Sequence, residues 1–253
     1  MKQETASVID NKEISPSVYL IWLESPAIAH ESKPGQFVMV RCEDGTILRR
    51  PFSIHQRDRN RIALLYSLVG KGTRWLSKHQ TGHGIDLLGP LGNGFSIHSG
   101  SKNLLLVAGG IGIAPLCFLA KEAVIHKLSV KLLSGASTSE LLYPQDLLPC
   151  AVETATEDGT TGLKGMVTDL LPDYVNWADQ IFACGPMPMY RDMHAKIAQM
   201  KGKPVQISLE VRMGCGFGMC FGCTVKTRSG LKQVCKDGPV FDLEEICWGE
   251  LGI

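Results

Sequence analysis

From residue 1 to about 98 the chain sets short apolar runs between Gly, Pro, Asn and Asp, at intervals that suit strands joined by turns. The firmest strands are Phe37 to Cys42 (FVMVRC), Ile62 to Leu68 (IALLYSL) and Ile85 to Leu88, and no segment of this half sustains a long helical period. A small antiparallel barrel is the expected outcome, with Gly-Pro-Leu-Gly-Asn-Gly at 89–94 as the bend that closes it. A domain boundary follows near Ile97 to Lys102, and from Asn103 the period changes. Strands at 103–108, 130–134, 152–156 and 180–184 alternate with helices at about 113–126, 166–172 and 187–200, which predicts a parallel sheet with crossover helices. Past Ser208 a third pattern begins. Thr224 to Thr227 alternates in polarity as a strand does, Arg228-Ser229-Gly230 reads as a turn, and Leu231 to Val234 reads as the returning strand. The expectation is a multi-domain α/β plus β chain: a barrel over 1–98, an α/β domain over 99–207 and a small C-terminal module over 208–253.

Length and charge agree with this division and narrow the function. A chain of 253 residues suits two domains, or two and a small module. Lys and Arg total 26 against 25 Asp and Glu, and the basic residues form no run, so neither nucleic acid nor an acidic membrane is expected as a partner. The N-terminus, MKQETASVIDNKEI, is charged and lacks the apolar core of a secretory signal. Leu104 to Ala120 is seventeen uncharged residues, close to the lower limit for a membrane span, but three glycines and a proline argue for a strand, a turn and a helix. With cysteines expected to be reduced, the cytoplasm is the expected compartment.

Four of the nine cysteines, Cys215, Cys220, Cys223 and Cys235, fall in one segment with the spacing CxxxxCxxC and a fourth after eleven intervening residues. That is the plant-type ligand pattern of a two-iron cluster. Two sulfide-bridged irons need four thiolates at one centre, and only a tightly curled backbone brings three sequence-near thiolates there. Gly214, Gly216, Gly218 and Gly222 permit such a curl and let amide groups approach the sulfurs. A structural zinc on four thiolates and a buried set of unligated cysteines are the competing readings. Zinc sites usually pair short spacings of two to four residues, which favours iron here.

The end of the first predicted α/β strand reads Gly109-Gly110-Ile111-Gly112-Ile113-Ala114-Pro115. Glycines at a strand-to-helix turn let a pyrophosphate approach the backbone at a helix N-terminus, although the same residues also make an unliganded turn. Cys184-Gly185-Pro186 stands at the end of another predicted strand, where open α/β sheets bind ligands; taken alone, a cysteine such as Cys184 is more often a buried core residue. The seven histidines are scattered, and neither a Ser-His-Asp arrangement nor a paired carboxylate site stands out.

These motifs, in this order, resemble those of the ferredoxin reductase superfamily, with GGxGxxP in place of the ordinary GxGxxG. Within it, SLEVRMGCGFGMCFGC and CKDGPVF resemble the electron-transfer subunits of dihydroorotate dehydrogenase B. The resemblance implies an N-terminal flavin barrel, a Rossmann-like nucleotide domain and a C-terminal [2Fe-2S] module. In Arg49-Arg50-Pro51-Phe52-Ser53-Ile54 it implies that Arg50 meets the FAD pyrophosphate, that Pro51 and Phe52 contact the flavin and that Ser53 reaches the ring edge. Leu65, Tyr66, Ser67, Gly72 and Thr73 belong to the segment that wraps the diphosphate; Thr73 is expected to cap a following helix. Gly109, Gly110, Gly112, Pro115, Gly185 and Pro186 are implied NAD contacts, with Cys184 near the nicotinamide and Ser53 and Cys184 as the catalytic candidates. Two positions depart from the pattern. Ser67 stands where members often carry a basic residue, and Phe52 lacks the hydroxyl of members with Tyr there.

Leu132 to Cys150 contains no Lys or Arg but does contain Glu140, which favours NAD over NADP as electron acceptor or donor. The implied partner is an FMN-containing dihydroorotate dehydrogenase catalytic subunit, in a heterotetramer of two of each chain serving pyrimidine biosynthesis. A reductase subunit of a hydrogenase or sulfide dehydrogenase is the alternative within the superfamily, and a zinc module on a reductase-like scaffold is the alternative outside it. Some relatives carry Asp at the first cluster position; Cys215 argues against that group.

Overall fold

The computed structural model describes residues 1–43, 45 and 47–250. Among them, β1 (Lys2–Ser15), β2 (Val18–Glu24), β3 (Phe37–Val40), β4 (Arg50–Asp58), β5 (Arg61–Ser67) and β6 (Gly84–Leu91) close a barrel in the order β1-β2-β5-β4-β3-β6. All of its pairings are antiparallel. Two short helices, α1 (Pro26–Ala29) and α2 (Lys71–Leu76), lie in its connections. The strand period of two fills the interior: Ala6 and Val8, Ile21 and Leu23, Val38 and Val40, Phe52 and Ile54, Ile62 and Leu64, and Ile85 and Leu87 form one core. Each of the larger side chains among them contributes about 1.5–3 kcal/mol by leaving water. The charged N-terminal stretch, which carries no strand signal strong enough to read, is the longest strand of the barrel. Outward residues of the same strands, Phe37, Met39 and Leu65, pack instead into the cores of the following domain.

That domain is a sheet built from β7 (Asn103–Gly109), β8 (Ser129–Ala136), β9 (Ala151–Thr156), β10 (Leu163–Lys164), β11 (Gln180–Cys184) and β12 (Val205–Ser208), all parallel. Helices α3 (Ile113–Ile125), α4 (Leu171–Val175) and α5 (Met187–Ala195) cross over it. Successive residues of β7 serve opposite faces, Leu105 and Val107 one core and Leu104, Leu106 and Ala108 the other. The uncharged run from Leu104 is thus a buried strand, a turn and a helix, and no helix among the described residues is long and apolar enough to cross a membrane. The helix expected at 166–172 divides into a 3-10 turn, Val167–Leu170, and α4. Pro172 has no amide to donate and fits only the first turn of an α-helix, so the α geometry begins beside it.

After β12 the chain forms a long loop that contains the hairpin β13 (Thr224–Thr227) and β14 (Gly230–Gln233), then α6 (Val234–Asp237). The returning strand expected to carry Cys235 stops at Gln233. The Gln233 amide donates to the Asp237 carboxylate at 2.7 Å, which starts a helical turn and places Cys235 on it. Finally β15 (Val240–Asp242) pairs antiparallel with β12, completing a seven-stranded sheet in the order β10-β9-β8-β7-β11-β12-β15. The neck of the loop is fastened twice: Leu209 N–H donates to Pro239 O at 2.9 Å, and Asn93 N–H at the end of the barrel donates to Gly238 O at 2.6 Å.

Candidate functional site

Two clefts share a wall. The first, of about 950 Å³, runs along the barrel and is lined by Arg50, Pro51, Phe52 and Ser53 of β4, Leu65, Tyr66 and Ser67 of β5, and the turn from Val69 to Thr73. Its far side is Ser208 to Met213, the stretch that leads into the cysteine loop. The two arginines at its head divide the work. Arg49 clasps Asp86 of β6 with both nitrogens, at 2.7 and 3.1 Å, which makes it part of the barrel, whereas Arg50 donates to Leu48 O and stays in the cleft wall. Thr73 does not cap α2. Gly70 occupies the cap, and Thr73 at the third helical position reaches back, its Oγ accepting from the amides of Val69 at 3.0 Å and Gly70 at 3.1 Å. This takes the Gly70 amide away from any ligand, while the first-turn amides after it still lack acceptors within the helix. The Tyr66 ring is held by an edge contact to Phe52 at 5.8 Å and a hydrogen bond from its hydroxyl to Asn11 at 3.0 Å. Guanidinium groups, bare helix amides and a wall of phenyl, phenol and hydroxyl fit a flavin dinucleotide, which presents a pyrophosphate and a planar ring.

The second cleft, about 720 Å³, opens at the carboxyl ends of the parallel strands, where ligands of such sheets bind. Gly109, Gly110 and Gly112 line it from β7, and Gly185 and Pro186 from β11. The two turns touch: a Cβ at Gly112 would stand 2.1 Å from the carbonyl oxygen of Cys184, so only glycine permits this approach. Pro115 lies buried in the first turn of α3 behind this wall. Cys184 is buried beneath it too, its thiol donating to Ser208 O at 3.7 Å, and burial holds it protonated far above the usual thiol range. Tyr190 ties the floor together by accepting from Gly185 N–H at 2.9 Å and donating to Ser208 O at 2.6 Å. Among the described residues in the lining there is no lysine or arginine, and the carboxylates are Glu157, Asp192 and Glu210. Glu157, at the end of β9 beside Ser137, stands in the wall that Glu140 was expected to supply.

Ile111 and Glu210 line both clefts. Glu210 is exposed to the clefts it lines, yet the protein packed around it strips enough water from the carboxyl to raise its pKa.

The cysteines lie just beyond, and they come as two pairs. The Cys220 amide bonds the Cys215 sulfur, and the Cys235 amide bonds the Cys223 sulfur. Amides point at the sulfurs: Met219 N–H at 3.2 Å and Cys220 N–H at 3.4 Å to Cys215, Gly218 N–H at 3.1 Å to Cys235, and Cys235 N–H at 3.4 Å to Cys223. At Cys215 burial opposes ionisation, but the amides of Phe217, Cys220 and Met219 outweigh it and bring the thiol down to about 6. Burial and the neighbouring Cys223 thiol push Cys235 the other way. Gly216, at φ +84, lies so close to Met39 of β3 that a Cβ would stand 2.5 Å from its Cγ, which seats the loop on the barrel. The four cysteines stand as two amide-wrapped pairs and, among the described residues, are not gathered into a group of three or more around one metal position; two pairs match the two terminal sulfurs that each metal of a two-iron centre needs.

Residues 210–247 match the family model described as the iron-sulfur cluster binding domain of dihydroorotate dehydrogenase B. Over 245 residues, 95% of this chain and 97% of the other, the sequence is 38% identical to the electron transfer subunit of dihydroorotate dehydrogenase B (NAD(+)) of Caldanaerobacter subterraneus subsp. tengcongensis. The chain belongs to this family of electron transfer subunits. Its counterpart in Bacillus mycoides is 36% identical across 97% of this chain and 99% of that one. Among solved structures, one described as an NADH-dependent reduced ferredoxin-NADP oxidoreductase engaged in flavin-based electron bifurcation superposes with a TM-score of 0.87 at 32% identity, covering 98% and 91% of the two chains. A ferredoxin NADP+ reductase of Neisseria gonorrhoeae with bound FAD and NADP, at TM-score 0.67 and 20% identity over 79% of this chain and 92% of that one, shares the fold.

For a dihydroorotate dehydrogenase B electron transfer subunit, the clefts gather nearly every residue singled out from sequence, with Cys184 and Pro115 standing behind the wall and not in it. Sequence reasoning missed Glu210, Glu157 and Tyr190. Glu210 lies in the quoted stretch SLEVRM, but only the packing of that stretch against both clefts distinguishes it.

Proposed function

We propose that this chain carries electrons between NAD and an FMN-containing catalytic subunit that oxidises dihydroorotate, in pyrimidine biosynthesis, with FAD in the barrel cleft, NAD in the sheet cleft and a [2Fe-2S] cluster on Cys215, Cys220, Cys223 and Cys235. The observation that carries this reading is the shared wall: Ile111 and Glu210 line both clefts, and the same stretch runs on to Cys215. Bound FAD exchanges electron pairs with a nicotinamide and single electrons with a cluster, the conversion that the two partners require. The protein supplies position. Arg50 and the first turn of α2 hold the pyrophosphate, Ser53 and Phe52 orient the ring, and Gly109 to Gly112 with Gly185 bring the nucleotide against it. Glu210, with its raised pKa, sits where the two rings meet and can hold a proton there. The absence of Lys and Arg from the described lining of the sheet cleft supports NAD over NADP.

Beside the exposed Cys220 in the chain stand Phe217, Met219 and Phe221, all exposed, an apolar rim suited to a subunit docking over the cluster. The full-length likeness to dihydroorotate dehydrogenase subunits favours that partner over a hydrogenase or sulfide dehydrogenase. We assign the complex two copies of each chain and a cytoplasmic location. The test is anaerobic co-purification with the partner, followed by flavin, iron and sulfide analysis and dihydroorotate-dependent NAD reduction. One FAD and one two-iron cluster per chain are expected, with NAD reduction lost when the partner is removed; zinc without flavin refutes the reading.

A further inference from the structure

Strand β4 carries Arg50 and Ser53 in the barrel cleft and then slips its register against β5: Ile54 pairs with Leu64 but Gln56 pairs with Ala63. The residue absorbed by this bulge is His55, with 0% of its surface exposed. A bulge re-aims a side chain, and this one sends an imidazole out of the barrel into the nucleotide domain. Nδ1 lies 3.0 Å from the Ala114 carbonyl oxygen; Nε2 lies 3.0 Å from the Tyr143 hydroxyl and 3.0 Å from Gln56 Nε2. A carbonyl only accepts, so Nδ1 carries the proton, and Nε2 is bare, its one lone pair shared between Tyr143 O–H and Gln56 N–H. Burial, aided by the nearby Lys121 charge, keeps the ring neutral by lowering its pKa to about 4.

The partners are what make this contact informative. Ala114 is the second residue of α3, directly after the Gly109 to Gly112 turn, and it lines the barrel cleft. Tyr143 follows Leu141, which lines the sheet cleft. The rest of the seam between β4 and α3 has its own fastenings, with Lys121 donating to Gln56 and Arg57 meeting Glu122 at 2.9 Å, so those hold the helix body without His55. His55 alone among them reaches the first turn.

We infer that His55 is a positioning residue for hydride transfer: through the Ala114 carbonyl it sets how the turn from Ile111 to Ala114 stands over the flavin, and hence how the nicotinamide meets the ring. This rests on the assignment of FAD and NAD to the two clefts. The step moves one hydride from NADH to oxidised FAD and one proton from solvent, with NAD+ and two-electron-reduced flavin as products.

Two substitutions separate the ring's two bonds. His55→Asn places an amide nitrogen where Nδ1 stands and keeps the Ala114 bond; His55→Gln reaches the place of Nε2 and keeps the Tyr143 bond alone. In the full chain with its cofactors, stopped-flow reduction of the flavin by NADH is expected to stay near the wild-type rate in the Asn variant. In the Gln variant it should slow by about tenfold or more, with the NADH dissociation constant held within about twofold. Amide exchange across residues 109–117, measured without NADH, should quicken in the Gln variant only. Equal rates in the two variants, or a slow Asn with a normal Gln, overturn the inference. Tyr143→Phe leaves the Ala114 bond intact and should transfer hydride at the wild-type rate; a loss of about tenfold there overturns the inference even if neither His55 variant folds. If NADH fails to reduce the flavin of the wild-type protein, the functional reading falls and takes this inference with it. The exchange data tell that failure from a failure of the latch.

Discussion

Gly112→Ala tests the claim that two backbone turns build the nucleotide site by leaning on each other. The added methyl would lie 2.1 Å from Cys184 O, 2.4 Å from Cys184 C and 2.7 Å from Gly185 N, where ordinary contact between such atoms is about 3.5 Å. All three are main-chain atoms, and no rotamer change relieves them. The turns must separate by about 1 Å, against the pairing of Ala108 with Cys184 that holds β7 to β11. Overpacking of this kind costs about 1–3 kcal/mol, and rigid backbone on both sides puts it at the upper end. A shift of about 1 Å in a site that aligns two rings also lowers hydride transfer by about 100-fold. The assay is urea denaturation together with stopped-flow flavin reduction by NADH, with FAD content measured to show that the barrel cleft is intact. Gly70→Ala is the control, because Gly70 has an extended φ of −159° and a Cβ there meets nothing within 4 Å; it should cost about 0.5 kcal/mol or less. A Gly112→Ala protein with wild-type stability and NADH kinetics would show that the turns do not bear on each other.

Ser53→Ala should keep FAD bound, since Arg50 and α2 remain, yet slow single-turnover flavin reduction about tenfold or more; an unchanged rate removes Ser53 from the ring. Cys220→Ser should lose the cluster or shift its potential while NADH still reduces the flavin, and electron exchange with the partner subunit should fall at least about 100-fold. Loss of the NADH half-reaction in a protein that retains FAD contradicts this, and association with the partner must be measured beside the rates. Glu157→Arg should raise kcat/KM for NADPH relative to NADH by at least about tenfold, because a 2′-phosphate would gain a cation in a wall that now presents a carboxylate; an unchanged ratio places the ribose elsewhere. His55 gives a pH signature. Its pKa is about 4 folded against 6.5 unfolded, so between those values the unfolded chain binds more protons and stability falls as pH falls. The stabilisation is complete above pH 6.5 and lost on the way to 4, which makes urea-derived stability drop by about 2 kcal/mol more from pH 7 to 5 in wild type than in His55→Asn.

The barrel, the parallel sheet and the cysteine centre were legible because each rests on a local signal: a period of two, a strand-helix alternation, a ligand spacing. What escaped depends on contacts between distant segments. In β1 only Ala6 and Val8 are buried, amid charged residues that the barrel leaves in water, so apolar alternation is nearly absent from the longest strand. Glu140 was the acid singled out for the ribose, and only the pairing of β8 with β9 shows that Glu157, just past β9, stands in the wall instead. Cys184 kept its place in the motif, but the Ser208 carbonyl turned its thiol inward, a partner no spacing foretells. The histidine two residues past Ser53 is one of seven scattered along the sequence, and its partners come from α3 and from the loop after β8.

The closing strand β15 gives the cysteine loop a standing that a tethered domain lacks. Since β12 enters the loop and β15 leaves it side by side, fastened at Leu209 to Pro239, the loop is an excursion from the nucleotide sheet and not an appendage. A chain cut before Ser208 would strip β12 of its outer neighbour and leave a raw strand edge open to other chains, so the reductase portion should precipitate when expressed alone. The same closure forbids the loop to swing. Whatever docks over Cys220 presses on a rigid extension of the sheet that binds nucleotide, and the spacing from cluster to flavin is built during folding instead of being found again at each encounter.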